Sequence, residues 1–257
     1  TNAQYTSFLN AVAATDTHEL YNTKMESDPV GGISRSGSDG NYSYSTKTNR
    51  ADKPVNFVSF WSAARFANWL TNGRPTGPQG DATTETGMYN LGGVTDPNNS
   101  SVTRQIDFAA GQNGVAVTSE DEWYKAAYYD PTLNGGTGGY YDYPTQSDTA
   151  PTAGDPPGGD NSANYDDEVG TVTDVGAYSN SASYYGTFDQ GGNVWEWNDT
   201  IVDTSDRGRR GGSFPNGALG LQSSDRDNRG PTLERYIIGF RVSSLAPLYP
   251  SSSAQSD

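Results

Sequence analysis

The sequence predicts an α+β domain with few helices, short antiparallel strands and long ordered loops, and three observations predict it. Aromatic residues reach 12%, with 17 Tyr, 8 Phe and 5 Trp, although only 32% of the 257 residues are hydrophobic. Disordered chains are poor in aromatics, so a folded core built from Tyr and Trp is expected, with partners for their polar tips. The 31 Gly and 14 Pro call for many turns and loops. Helix-period and strand-period patterns occur only as short, separated pieces.

The first piece spans residues 3–13, where Tyr5, Phe8, Leu9 and Val12 repeat with helical spacing and Thr1 or Asn2 can cap. A Gly/Ser-rich stretch from Ser27 to Asn41 leads to Tyr42-Ser43-Tyr44-Ser45, whose alternation predicts a short strand or hairpin arm. Ser59 caps a second helix carrying Trp61, Phe66 and Trp69, which Gly73 and Pro75 end. Residues 74–114 are a long polar excursion. Ser119 and Glu122 stand at capping-box spacing and open a third helix, which Asp130-Pro131 stops after about Tyr128. Residues 131–183 are dominated by Gly, Asp, Asn, Pro and Thr. A loop this long in a compact domain is functional or pinned by ligands. Strand-like pieces return at Asn193 to Trp197, Arg210 to Phe214 and Ile237 to Val242. No repeat at a solenoid period occurs.

Charge and composition exclude several functions. Lys plus Arg is 16 and Asp plus Glu is 31, a net charge of −15, which argues against a general nucleic-acid binder. The absence of Cys excludes disulfides, thiolate metal sites and a cysteine nucleophile. The one histidine, His18, sits in the polar turn Thr15-Asp16-Thr17-His18-Glu19 and is assigned no catalytic role. No apolar run is long enough to span a bilayer. The chain opens on Thr1-Asn2-Ala3-Gln4 with no visible signal peptide, so an N-terminal segment removed by processing is expected.

Four segments carry a family resemblance: Asn2-Ala3-Gln4-Tyr5 through Phe8; Pro54 to Phe60; Thr118 to Ala127; and Tyr185 to Trp197 with its Gly192-Asn193-Val194-Trp195-Glu196-Trp197 run. Arg210-Gly211-Gly212-Ser213-Phe214 and Ile238-Gly239-Phe240-Arg241-Val242 follow in order. Together they resemble the formylglycine-generating enzyme, or sulfatase-modifying factor, family from residue 1 to about 243. The resemblance implies a C-type-lectin-like fold. It leaves residues 244–257 as a Ser/Pro-rich tail. The family has a β-strand ahead of the first helix, and this sequence starts after it. An edge left open there could pair with another chain in self-association.

The same resemblance implies which residues carry chemistry. The family's copper-binding cysteines correspond to Asn216 and Leu221, which supply no thiolate, and a single His cannot build the three-histidine iron site of related enzymes. Neither copper nor iron is therefore expected, and no catalytic residue is assigned. Calcium is expected at two family sites. One uses the side chains of Asp189 and Glu196 with the Gly192 and Val194 carbonyls. The other uses Asn164, the Tyr165 carbonyl, Asp167 and the Val169 carbonyl. The competing readings are that Asp189 caps a turn and Glu196 pairs with an arginine. The clustered Arg210, Arg226, Arg229, Arg235 and Arg241 suit internal ion pairs with Asp225, Asp227 or Glu234, or else a site for an anion.

The family's ligand-facing surface corresponds to residues 214–237, which makes Asn216, Gln222, Asp225, Arg226, Asp227, Asn228 and Tyr236 candidate ligand-binding residues. A glycan or a protein is the expected partner there. Three functions stay open. The first is a non-catalytic binding module, secreted, extracellular or at a cell surface, on a calcium-stabilised scaffold. The second is a structural subunit of a surface layer or filament. The third is an enzyme of altered chemistry.

Overall fold

The computed structural model describes residues 1–245. Helix α1 (Asn2–Val12) is closed by a complete capping box between Thr1 and Gln4 and buries Tyr5, Phe8, Leu9 and Val12. A short α2 (Lys24–Ser27) leads to the hairpin β1 (Ile33–Ser36) and β2 (Ser43–Thr46), paired antiparallel from Ile33↔Thr46 to Ser36↔Ser43. Helix α3 (Phe60–Thr71) starts where the Ser59 hydroxyl accepts from Ser62 N–H. It is buried nearly all round, as a helix wedged between two apolar layers must be.

The layers differ. Phe66 and Trp69 of α3 pack with Tyr5, Phe8, Leu9 and the hairpin residues Ile33 and Tyr44. Phe60, Trp61, Ala63, Ala64 and Ala67 face Ala116, Val117, Trp195, Trp197 and Ile238. The polar excursion after α3 contains a π-helical turn, Asp81–Glu85. Its Glu85 is bound by buried Arg65 of α3 at 2.7 and 3.0 Å. His18 lies 3.5 Å from the same carboxylate.

Strand β3 (Val115–Val117) precedes α4 (Glu120–Tyr128), where Ser119 and Glu122 form the expected capping box. Two-residue ladders pin the long loops: β4 (Tyr129–Asp130) with β5 (Gly139–Tyr140), and β6 (Thr152–Ala153) with β7 (Ser162–Ala163). The last third holds β8 (Trp195–Asp203), β9 (Asp206–Arg210), a 3-10 turn (Ala218–Leu221), β10 (Asp227–Arg229), β11 (Ile238–Phe240) and β12 (Val242–Ser244). Strands β10-β9-β8-β11 form one sheet in that order, and β12 pairs with β3.

Three expectations need correction. Strands β8 and β11 pair parallel, Trp195↔Ile238 to Phe240↔Trp197, as do β6 and β7, so the strands are not all antiparallel. The strand expected over Arg210 to Phe214 stops at Arg210. Gly211 and Gly212 follow at φ 97° and 69°, left-handed conformations that end a strand and that glycine adopts without a Cβ clash. The segment expected as a tail from residue 244 begins on the last residue of β12. Residues 246–257 lie outside the described residues.

Candidate functional site

The surface expected to face a ligand follows the turn at Gly211-Gly212. Asn216 Oδ1 accepts from Trp195 Nε1 at 2.9 Å and from the Ser213 hydroxyl at 2.6 Å. Leu221 is fully buried against Tyr143, Ala163 and Tyr165. Gln222 donates through Nε2 to the Tyr143 hydroxyl at 2.9 Å. The Asp225 carbonyl accepts from Arg210 Nη1. Arg226 grips both oxygens of Glu120, at 2.6 Å through Nη2. Asp227 accepts from Arg209 at 2.8 Å and Arg229 at 2.6 Å. Asn228 donates to Asp206 at 3.0 Å. Tyr236 projects from the candidate set, 38% exposed, with its ring 5.9 Å from Phe214. The structure thus brings the candidates to one surface and commits most of their polar groups to holding it in shape.

The hub of that bracing is Glu120, the first residue of α4, which bridges Arg210 at 2.6 Å and Arg226. Burial works against its charge, yet the hydrogen bonds and charges of Arg226 and Arg210 hold its carboxyl below the usual carboxylate range. Arg210 also donates to the Ser223 carbonyl at 2.9 Å, so one buried side chain ties the loop to both α4 and β9. The arginine cluster therefore makes internal ion pairs: Arg229 takes the expected Asp227, and Arg210, Arg226 and Arg241 find different partners. Glu120 and Glu196 replace Asp225 and Glu234, and Glu234 instead accepts from Asn22 Nδ2. Glu120 carries no sequence signal beyond helix capping, because its partners lie 90 and 106 residues away.

The two oxygen sets differ in what is left for a cation. Glu196 is held by Arg241 through both oxygens and by Trp123 Nε1 at 2.6 Å. Asp189, at φ 58°, accepts from Gly176 N–H at 2.6 Å, capping the turn at 174–177. Burial raises its pKa. Both competing readings are thus realised, and with Glu196 neutralised by Arg241 this set does not fit a calcium ion. Gly192 and Val194 stand between the two carboxylates on the approach to β8.

At the second set, Asn164 is 1% exposed. Its Nδ2 donates to the Thr171 carbonyl at 2.8 Å, and its Oδ1 has no hydrogen-bond partner. Gly192 packs against it, since a Cβ there would lie 2.1 Å from the Asn164 carbonyl oxygen. Asp166 and Asp167 both take left-handed φ, with their N–H groups on the Asn216 and Phe214 carbonyls. The Tyr165 carbonyl accepts from Glu168 N–H at 3.3 Å. An orphaned buried acceptor costs roughly 1–3 kcal/mol, and a hard cation is a partner that relieves it. This set fits calcium. Among the described residues no three His, Cys, Asp or Glu side chains gather in a metal-holding group; here the donors are an amide and carbonyls with one carboxylate.

A groove of about 350 Å³ runs beside the first set, lined by Tyr5, Phe66, Phe188, Val194, Phe240 and Val242. Phe240 of β11 and Val242 of β12 line it, and each of these strands has one strand partner among the described residues. No described helix is long and apolar enough to cross a membrane.

Residues 1–245 match the family described as "Sulfatase-modifying factor enzyme 1-like domain". No curated protein matches the chain. Among solved structures, the chain is similar to Treponema denticola variable protein 1, with 21% identity over 77% of this chain and 74% of that one, at a TM-score of 0.48. It is also similar to CarF (19% identity, 84% and 76%, TM-score 0.48) and to PvdO from Pseudomonas aeruginosa (17% identity, 82% and 67%, TM-score 0.46).

Proposed function

We propose that this chain, which belongs to the sulfatase-modifying factor enzyme 1-like domain family, is a non-catalytic extracellular binding module on a calcium-stabilised scaffold. One observation carries the non-catalytic part. The positions that resemble the family's copper cysteines are Asn216 and Leu221, one bonded to Trp195 and Ser213 and the other fully buried in the core. Both serve the fold, and neither offers a thiolate. The acidic balance of −15 supports a protein that stays soluble and takes up cations. The partner is a glycan or a protein. Glycan and protein arrays beside a copper-supplemented assay on a cysteine peptide test the reading. Saturable binding without turnover supports it, and conversion of the peptide cysteine to formylglycine sinks it.

Calcium belongs to the same proposal. Asn164 Oδ1, Asp167 and the Tyr165 and Val169 carbonyls would hold it, and bound calcium would lock the 164–169 loop against β8. A ligand that binds only the folded state stabilises it by mass action. Saturating Ca²⁺ against chelator is expected to raise Tm by about 5–10 °C, and Asp167→Asn to remove most of that gain. An unchanged Tm ends the calcium proposal.

A second reading, assembly into a layer or filament, is favoured by the apolar groove along β11 and β12. A second copy that adds a strand there would raise the mass seen by light scattering with concentration. A monomer at every concentration removes this reading.

A further inference from the structure

The turn at Thr15 to Thr23, the hairpin β1–β2 and Glu234 line a cleft of about 630 Å³ that none of the candidate ligand-binding residues enters. Its wall is built in advance. Asp16 accepts from Leu20 N–H at 2.8 Å, Tyr21 N–H at 2.9 Å and Gln79 Nε2 at 3.0 Å. Those bonds fix the turn with Glu19 at φ 52°, a left-handed conformation that costs an ordinary side chain about 1–2 kcal/mol. On the facing wall the Arg35 guanidinium lies 4.2 Å from the Tyr42 ring centre and 4.7 Å from that of Tyr21.

The polar groups here are poised differently from those elsewhere in the molecule. Arg65, Arg104, Arg209, Arg210, Arg226 and Arg241 each hold a carboxylate. Arg35 makes no ion pair among the described residues, although Asp16, Glu19, Asp39 and Glu234 line the same cleft. Glu19 and Asp39 likewise have no side-chain partner among the described residues. The cleft therefore offers unpaired acceptors and one donor guanidinium together, with tyrosine rings among them.

We propose that this cleft binds a neutral saccharide. Carboxylates need donors, and a guanidinium needs acceptors. A hydroxyl is both, and neighbouring hydroxyls of a sugar ring reach both kinds of group at once. An anionic ligand meets four carboxylates, and a simple cation meets Arg35. A pyranose also has an apolar face for the part of the Tyr42 ring that Arg35 leaves uncovered. A concave site of this size with a few convergent polar groups is the usual form of a small-ligand pocket. The inference rests on the binding-module reading and places its ligand in a cleft that Glu234 lines but none of the candidate ligand-binding residues between Asn216 and Asn228, nor Tyr236, does.

The test uses the chain itself against neutral gluco-, manno- and galacto-oligosaccharides on an array, then calorimetry with the best binder. Arg35→Ala and Tyr42→Ala are expected to weaken binding at least about tenfold. Glu19→Gln, a mild surface change that spares the fold, should weaken it about threefold, while Tyr236→Ala leaves it unchanged. Binding that survives the cleft variants but is lost in Tyr236→Ala overturns the cleft and keeps the binding-module reading. Binding only of sulfated or uronic-acid glycans overturns the neutral class. A chain that retains no glycan overturns the inference, and the protein array then decides the binding reading by itself.

Discussion

The loop from residue 214 to 237 and the cleft around Arg35 are both rich in charge, and they use it in opposite ways. At the loop most charged groups are spent inside the protein: Arg226 joins Arg210 of β9 on Glu120, and Arg229 joins Arg209 of β9 on Asp227. In the cleft Arg35, Glu19 and Asp39 line one surface without pairing. Charge satisfied internally gives shape, whereas charge held apart by a rigid wall is available to a ligand. The difference teaches that a surface crowded with Asn, Asp and Arg is not by that fact a binding surface.

Substitutions can break the comparison. The largest effect is expected from Glu120→Ala, which leaves buried Arg210 without its carboxylate. Removing one partner of a buried pair costs about 3–5 kcal/mol, read as a lower denaturant midpoint at unchanged slope. A loss below about 1 kcal/mol would mean that the loop is held otherwise.

Glu234 sharpens the boundary between the two regions. Burial, first of all, pushes its pKa from 4.5 up to about 7, while Asn22 and the Ser59 N–H bond it. A raised folded pKa means that the protonated form favours the fold. That stabilisation is complete below about pH 4.5 and is lost as pH rises to about 7. Glu234→Gln stays neutral throughout, so its stability should gain on the native protein across that window by about 3 kcal/mol. A constant difference from pH 4 to pH 8 would contradict the buried, charge-averse site.

Smaller effects follow. Ser119→Ala should cost about 1 kcal/mol by opening the α4 capping box, seen in the same denaturant titration. Arg35→Ala should cost only about 0.5–1 kcal/mol, since it loses two ring contacts and no ion pair. A larger cost would turn the cleft into another brace.

Much of the fold was legible in the sequence because its signals are local. Thr1, Ser59 and Ser119 mark three helix starts by residue type, and all three accept the expected capping bond. What escaped was long-range. Nothing around Ile238 says that it will run parallel to Trp195, and nothing around Glu120 names Arg226 as its partner. The site was legible only in part for the same reason. Asn164 and Glu196 were both nominated as oxygen donors, yet Arg241, 45 residues from Glu196, closes on that carboxylate, while Asn164 Oδ1 is left without a partner. The cleft gave no motif at all, because Asp16, Arg35 and Glu234 meet only in the folded chain.

The most direct test measures stability and saccharide affinity together for Arg226→Ala and Arg35→Ala. A crossed pattern is expected: Arg226→Ala loses stability and keeps the sugar, whereas Arg35→Ala keeps most of its stability and loses the sugar. If Arg226→Ala abolishes binding in a chain that still folds, the ligand sits on the C-terminal loop and the division of labour drawn between the two regions is wrong.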